Sequence, residues 1–140
     1  KKCNPKNTQL IGYVKQKDLI DYYNEFDIVL LPNQKDILVN NKRSNIGKWI
    51  SPLKLFEYMA YQKPIIASDL PVLREVLNEN NSILCDPENV EEWVRAIKLL
   101  IKDEKLSKKI AENAYKDSIN KYTWDKRAEK ILDILYKELI

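Results

Sequence analysis

The stretch from Ser51 to Asp69, SPLKLFEYMAYQKPIIASD, constrains the fold more than any other part of the chain. Ser51 can cap a helix, Pro52 suits a first turn with φ preset and no N–H to satisfy, and LKLFEYMA supplies strong helix formers. Lys63-Pro64 then interrupts the helix, and Ile65, Ile66 and Ala67 have the length and branching of a buried parallel strand. Helix, tight turn and strand make an α/β unit. A helix start carries free N–H groups and the positive end of the dipole, so the amides of Leu53 and Lys54 could hold a phosphate, with the Lys54 side chain adding a full charge. On a helical wheel Leu53, Leu55, Phe56, Met59 and Ala60 share one broad apolar arc, and Glu57 stands at its border one turn in. A carboxylate there could accept from sugar hydroxyls while the helix start holds the attached phosphate. A solvated boundary glutamate fits the same spacing.

With 140 residues, 44% of them hydrophobic, the chain can build one core, and one domain is expected. Its 24 basic and 21 acidic residues are interspersed and leave a net charge of +3, which suits an ordinary surface rather than a nucleic-acid stripe. No apolar run approaches the roughly 20 residues that span a bilayer, and KKCNPKN lacks the apolar core of a signal peptide, so a soluble, unsecreted piece is expected. Cys3 and Cys85 are isolated and histidine is absent, which argues against a zinc site and against Ser/His or Cys/His nucleophilic chemistry. Cys85 reads as a small buried apolar residue.

Along the chain, Lys1 to Thr8 is a polar entry, Gln9 to Val14 reads as a short strand, Lys17 to Phe26 as a helix and Ile28 to Leu31 as a buried strand. Gln34 to Ile50 lacks periodicity and reads as a long loop of the kind that is usually functional or mobile. Leu70-Pro71 turns into a short helix over Val72 to Leu77, and Ser82 to Cys85 is the last strand. Beyond it the chain is helical. Asn89 with Glu92 resembles a capping box ahead of the stripe Val90, Trp93, Val94, Ile97 and Ile101. Asp103 caps a second helix carrying Leu106, Ile110, Ala114 and Tyr115, and Thr123 a third carrying Trp124, Ala128, Ile131, Leu135 and Leu139. These stripes read as core or interface.

SPLKLFEYMAYQKPIIASDLPVLREVL resembles the donor-binding signature of the retaining, GT-B-fold glycosyltransferases of the glycosyl transferases group 1 family. QLIGYV, DIVLLPN and SILCDPENVEEWVRAIKLLI are similar to the family's successive segments in the same order. The resemblance implies an α/β fold, a Rossmann-like parallel sheet with helices on both faces and a helical C-terminus. It implies that residues 1–140 are a single C-terminal donor-binding domain fragment, without the N-terminal acceptor domain and the first strands of this domain. The implied reaction is transfer of a sugar from a nucleoside diphosphate sugar to an acceptor hydroxyl in cell-surface polysaccharide or glycoconjugate synthesis, with no cofactor beyond that substrate and no metal.

As donor-binding residues the resemblance implies Ser51, Leu53 and Lys54 at the diphosphate, Glu57 at the ribose, Glu75 shaping the pocket, and backbone groups of Tyr13 and Val14 at the base. A plain strand-to-helix turn fits Tyr13 and Val14 equally well, and a helix-face glutamate fits Glu75. Lys42, Arg43 and Lys48 become candidates to meet phosphates, and Trp49 to pack on the ligand. No catalytic residue is assigned. Trp49 stands where many members carry a first glutamate, and Ser51-Pro52 where glycines are common.

The partners implied are the sugar nucleotide and a carbohydrate or lipid-linked acceptor, but no nucleic acid. The place implied is the cytoplasm, with peripheral contact at the inner membrane face for the full-length enzyme. A non-catalytic α/β nucleotide-binding or regulatory module is the rival reading. Phosphate-ester chemistry is weaker, because neither a glycine-rich phosphate loop nor paired metal-binding carboxylates are found. If two strands precede the fragment, either Gln9 to Val14 pairs with Ile28 to Leu31 in a compacted four-strand monomer, or the open edge joins two copies in a dimer, the outcome slightly favoured.

Overall fold

Strand β4 (Ile65–Ser68) is buried along its whole length, as a β-branched run does when both sheet faces are covered. It lies between β1 (Val29–Leu31) and β5 (Ile83–Cys85), and all three are parallel, with Val29 opposite Ile65 and Ile66 opposite Ile83. The computed structural model describes residues 6–35, 38–39, 44–45 and 53–138.

Side chains alternate across this sheet. Val29, Leu31, Ile65 and Ala67 face a cluster formed with Leu55 and Met59 of α2 (Leu53–Ala60), Leu73 of α3 (Pro71–Arg74) and Leu77. Ile66 and Cys85 face the other way, onto Ala96 and Leu100 of α4 (Val90–Lys102) and Ile110 of α5 (Glu104–Lys121). Helices therefore cover both faces in a Rossmann-like arrangement, and each fully buried aliphatic contributes about 1.5–3 kcal/mol. Cys85 is buried as expected, which pushes its thiol pKa up.

Helix α1 (Leu19–Glu25) follows a 3-10 turn at Gln16–Asp18, and the long helices start where expected. The Asn89 side chain accepts from the Glu92 amide at 3.4 Å, the Asp103 carboxylate from the Leu106 amide at 2.9 Å, and the Thr123 hydroxyl, ahead of α6 (Trp124–Glu138), from the Lys126 amide at 3.2 Å. Among the described residues, no helix is long and apolar enough to cross a membrane.

Several expectations need correction. Gln9 to Val14 is not a strand: Gly12 sits at φ +78°, outside the β region, and Leu10 and Tyr13 are 88% and 90% exposed, so nothing rewards pairing. The sheet consequently has three strands rather than four, and the outer edge of β1 carries no strand among the described residues. Within Gln34 to Ile50, Leu38–Val39 (β2) and Ser44–Asn45 (β3) pair antiparallel, so the segment holds a small ribbon instead of being loop throughout. On α4 the buried stripe is Trp93, Ala96, Ile97 and Leu100, while Val90, Val94 and Ile101 are exposed. This i, i+3, i+4, i+7 set packs against Ile66 and Cys85, with Ala96 and Leu100 buried and Trp93 and Ile97 partly buried.

On α5, Ala111 and Ser118 are buried in place of Tyr115. Trp124, Ile131 and Leu135 of α6 are exposed, so that stripe is no core, and Leu139 lies outside the described residues.

Candidate functional site

Helix α2 ends in a tight reversal. The Lys63 amide donates to the Tyr58 carbonyl at 3.2 Å and the Gln62 amide to the Met59 carbonyl at 3.1 Å, with Gln62 at φ +53°. Pro64 then leads into β4. Because so short a turn joins them, α2 runs back along the sheet, and its first turn lies toward the carboxyl ends of the strands, the end where open α/β sheets bind ligands. At that end the Ser68 hydroxyl donates to the Asn33 carbonyl at 2.7 Å and fastens β4 to the chain leaving β1.

Leu53 and Lys54 open α2 and are both exposed, Leu53 by 75%. Leu53 was expected in the apolar arc. Helical side chains lean toward the N-terminus, so that of Leu53 projects past the helix start instead of onto the sheet. Ala60 is exposed at the other end of the helix, whereas Leu55 and Met59 are buried. Glu57, one turn in, is half-buried, and its Oε2 accepts from the Tyr23 hydroxyl at 2.7 Å. Tyr23 is one turn into α1, so the two helices meet at corresponding levels.

Tyr23 is 6% exposed. Its ring stacks on Tyr61 with centroids 4.4 Å apart and meets Tyr58 and Phe26 edge-on at 5.8 and 5.9 Å. Burial, and then the Glu57 carboxylate, push the Tyr23 pKa far above the ordinary phenol value, so it stays a donor. Tyr58 is raised likewise, by burial and then by Glu57. The sequence gives Tyr23 only as an apolar-face residue of its helix. Its pairing with a carboxylate on another helix has no local signal.

A second polar group follows β4. Arg74 donates from Nε to Asp69 Oδ1 and from a terminal nitrogen to Oδ2 at 2.9 Å, and its other terminal nitrogen reaches Glu79 at 2.9 Å. This fork holds the Asp69 carboxyl below the usual carboxylate range. Glu75, exposed at the end of α3, accepts from the Tyr122 hydroxyl through its backbone carbonyl at 3.4 Å. Its side chain makes no hydrogen bond among the described residues. No hydrogen bond among them joins Tyr13 or Val14 to α2; Tyr13 is exposed and Val14 half-exposed, in the coil before the 3-10 turn.

Ser51, Lys42, Arg43, Lys48 and Trp49 lie outside the described residues, as do Cys3 and Pro52. The structure thus places Leu53, Lys54 and Glu57 together on one helix start and adds Tyr23. A cleft of 480 Å³ lined by Phe26, Ile28, Pro64, Leu100 and Ala111 lies at the amino ends of β1 and β4, away from this group.

The family model described as glycosyl transferases group 1 matches residues 1–117. Among solved structures the chain is similar to sucrose-phosphate synthase from Thermosynechococcus elongatus, with a TM-score of 0.68 and 21% identity over 92% of this chain and 29% of that one. It is also similar to the C-terminal domain of a glycosyl transferase group 1 family protein from Francisella tularensis, with a TM-score of 0.61 and 23% identity over 81% of this chain and 53% of that one. The chain thus spans from under a third to about half of these proteins, and the likeness is one of fold. Among curated proteins none matches.

Proposed function

This chain belongs to the glycosyl transferases group 1 family, and on that premise we propose that residues 1–140 form the nucleotide-sugar-binding half of a retaining, hexosyl-type glycosyltransferase. The observation that carries the reading is the half-buried Glu57 carboxylate held one turn inside a helix whose opening residues, Leu53 and Lys54, are exposed. The α2 amides and Lys54 hold the diphosphate, Glu57 accepts from the ribose hydroxyls, and Glu75, Ser51, Tyr13 and Val14 complete the donor pocket. In the reaction the bond from the sugar's anomeric carbon to the diphosphate oxygen breaks, and an acceptor hydroxyl attacks from the same face and passes its proton to the departing diphosphate oxygen. Charge developing on the departing diphosphate is what Lys54 and the helix start stabilise.

The acceptor is a carbohydrate or lipid-linked hydroxyl compound in cell-surface polysaccharide or glycoconjugate synthesis, reached in the cytoplasm or at the inner membrane face. The edge of β1, which carries no strand among the described residues, with Leu30 exposed, supports pairing of two copies of the chain. Light scattering over a concentration series tests that pairing. Calorimetric titration of the chain with UDP, GDP and ADP tests the site: at least one binds, and the chain alone transfers no sugar. Absence of binding to all three contradicts the proposal. A non-catalytic nucleotide-binding module would bind equally but give no transfer in the full-length protein.

A further inference from the structure

We propose that Tyr23 is a positioning residue for the donor's ribose: its hydroxyl fixes the Glu57 carboxylate through Oε2 and leaves Oε1 to accept from the ribose hydroxyls. The inference rests on the reading of Glu57 given above and adds a residue from a different helix. A buried phenol needs an acceptor, and Glu57 is the one that Tyr23 reaches, at 2.7 Å. A carboxylate offers about four lone-pair positions, and one phenol occupies only one of them.

The donor is also uncharged. Arg74 grips both oxygens of Asp69 and neutralises the charge, whereas Tyr23 leaves the Glu57 charge and one oxygen intact. Tyr61, Tyr58 and Phe26 fix the phenol ring in turn. A glutamate so held is ordered before a ligand arrives, so binding loses less rotamer freedom.

The test is Tyr23→Phe in the whole chain, which keeps the ring packing and deletes only the hydroxyl. Titrations use UDP, GDP and ADP, each beside its 2′,3′-dideoxy counterpart, on the unsubstituted protein, Tyr23→Phe, Glu57→Ala and the double variant. Tyr23→Phe weakens the ribose form about fivefold and leaves the dideoxy form unchanged, and its effect vanishes in the Glu57→Ala background. If Glu57→Ala abolishes the preference for ribose while Tyr23→Phe preserves it, the positioning role is wrong and the ribose role of Glu57 stands. If Glu57→Ala also leaves the preference unchanged, both fall. A loss of affinity equal for ribose and dideoxy forms marks Tyr23 as purely structural and overturns the proposal.

Discussion

The rim where α1 meets α2 and the seam where the turn at 76–82 meets α5 both place a carboxylate beside a buried polar side chain, yet they treat it differently. At the seam the Asn81 side chain is fully buried; its amide donates to Asp117 at 2.9 Å and to the Val76 carbonyl at 3.1 Å, and its oxygen accepts from the Asn78 amide at 2.8 Å. Lys121, 2.5 Å from Asp117, completes the set. At the rim, among the described residues, Glu57 accepts one bond, from Tyr23, and Lys54 stands exposed nearby on the same helix start. A group that holds the fold together has its capacity filled from within the chain. The one proposed to serve a ligand keeps part of it open among the described residues.

The sharpest way to break the comparison is at the seam. Asn81→Leu removes three hydrogen bonds and leaves the Val76 carbonyl and Asn78 amide unpaired, so it should destabilise the fold by roughly 3 kcal/mol in urea denaturation. Nucleotide affinity of the folded fraction should not change. Equal losses of stability and affinity would mean that rim and seam are one unit.

Acid sharpens the contrast by a smaller amount. Burial raises the Asp117 pKa, but the bonds from Lys121 and Asn81 outweigh it and hold the carboxyl below its ordinary value. A depressed carboxyl contributes stability that is complete above its unfolded pKa and lost as pH falls through the folded one. Asp117→Asn should therefore cost about 1 kcal/mol at neutral pH and flatten the acid limb of the stability profile below about pH 4. A parallel acid limb in the variant would contradict this.

The smallest effect belongs to the turn behind the rim. Gln62 adopts a left-handed conformation that costs a residue with a Cβ about 1 kcal/mol, while glycine gives back part of that through the unfolded chain. Gln62→Gly should stabilise by about 0.5 kcal/mol in denaturant titration without altering ligand affinity.

Much of this was legible in the sequence because it is local. Asn89, Asp103 and Thr123 sit directly before their helices, and Ile65 to Ala67 carries its own burial in its branching. QLIGYV has the composition of a strand, but what decides its state is a neighbour to pair with and the left-handed Gly12. The α4 stripe follows from apolar residues at helical spacing, whereas which side of that arc meets the sheet, with Ala96 and Leu100 buried, is set by tertiary packing. At the site, helix spacing sets Lys54 and Glu57 one turn apart at the start of α2, and it is the family resemblance that implies their roles. Tyr23 has neither signal, since it reaches Glu57 only after β1 and β4 align their helices side by side.

The central claim is that the start of α2 binds a nucleoside diphosphate, with phosphate at Lys54 and ribose at Glu57. Its most direct test is calorimetric titration of Lys54→Ala and Glu57→Ala beside the unsubstituted chain, with urea denaturation as the check on folding. Each substitution is predicted to weaken binding by about 1.5–3 kcal/mol; Lys54→Ala retains stability, whereas Glu57→Ala leaves the buried Tyr23 hydroxyl without its acceptor and costs about 1–3 kcal/mol while the chain stays folded. Unchanged affinity in both folded variants would contradict the account.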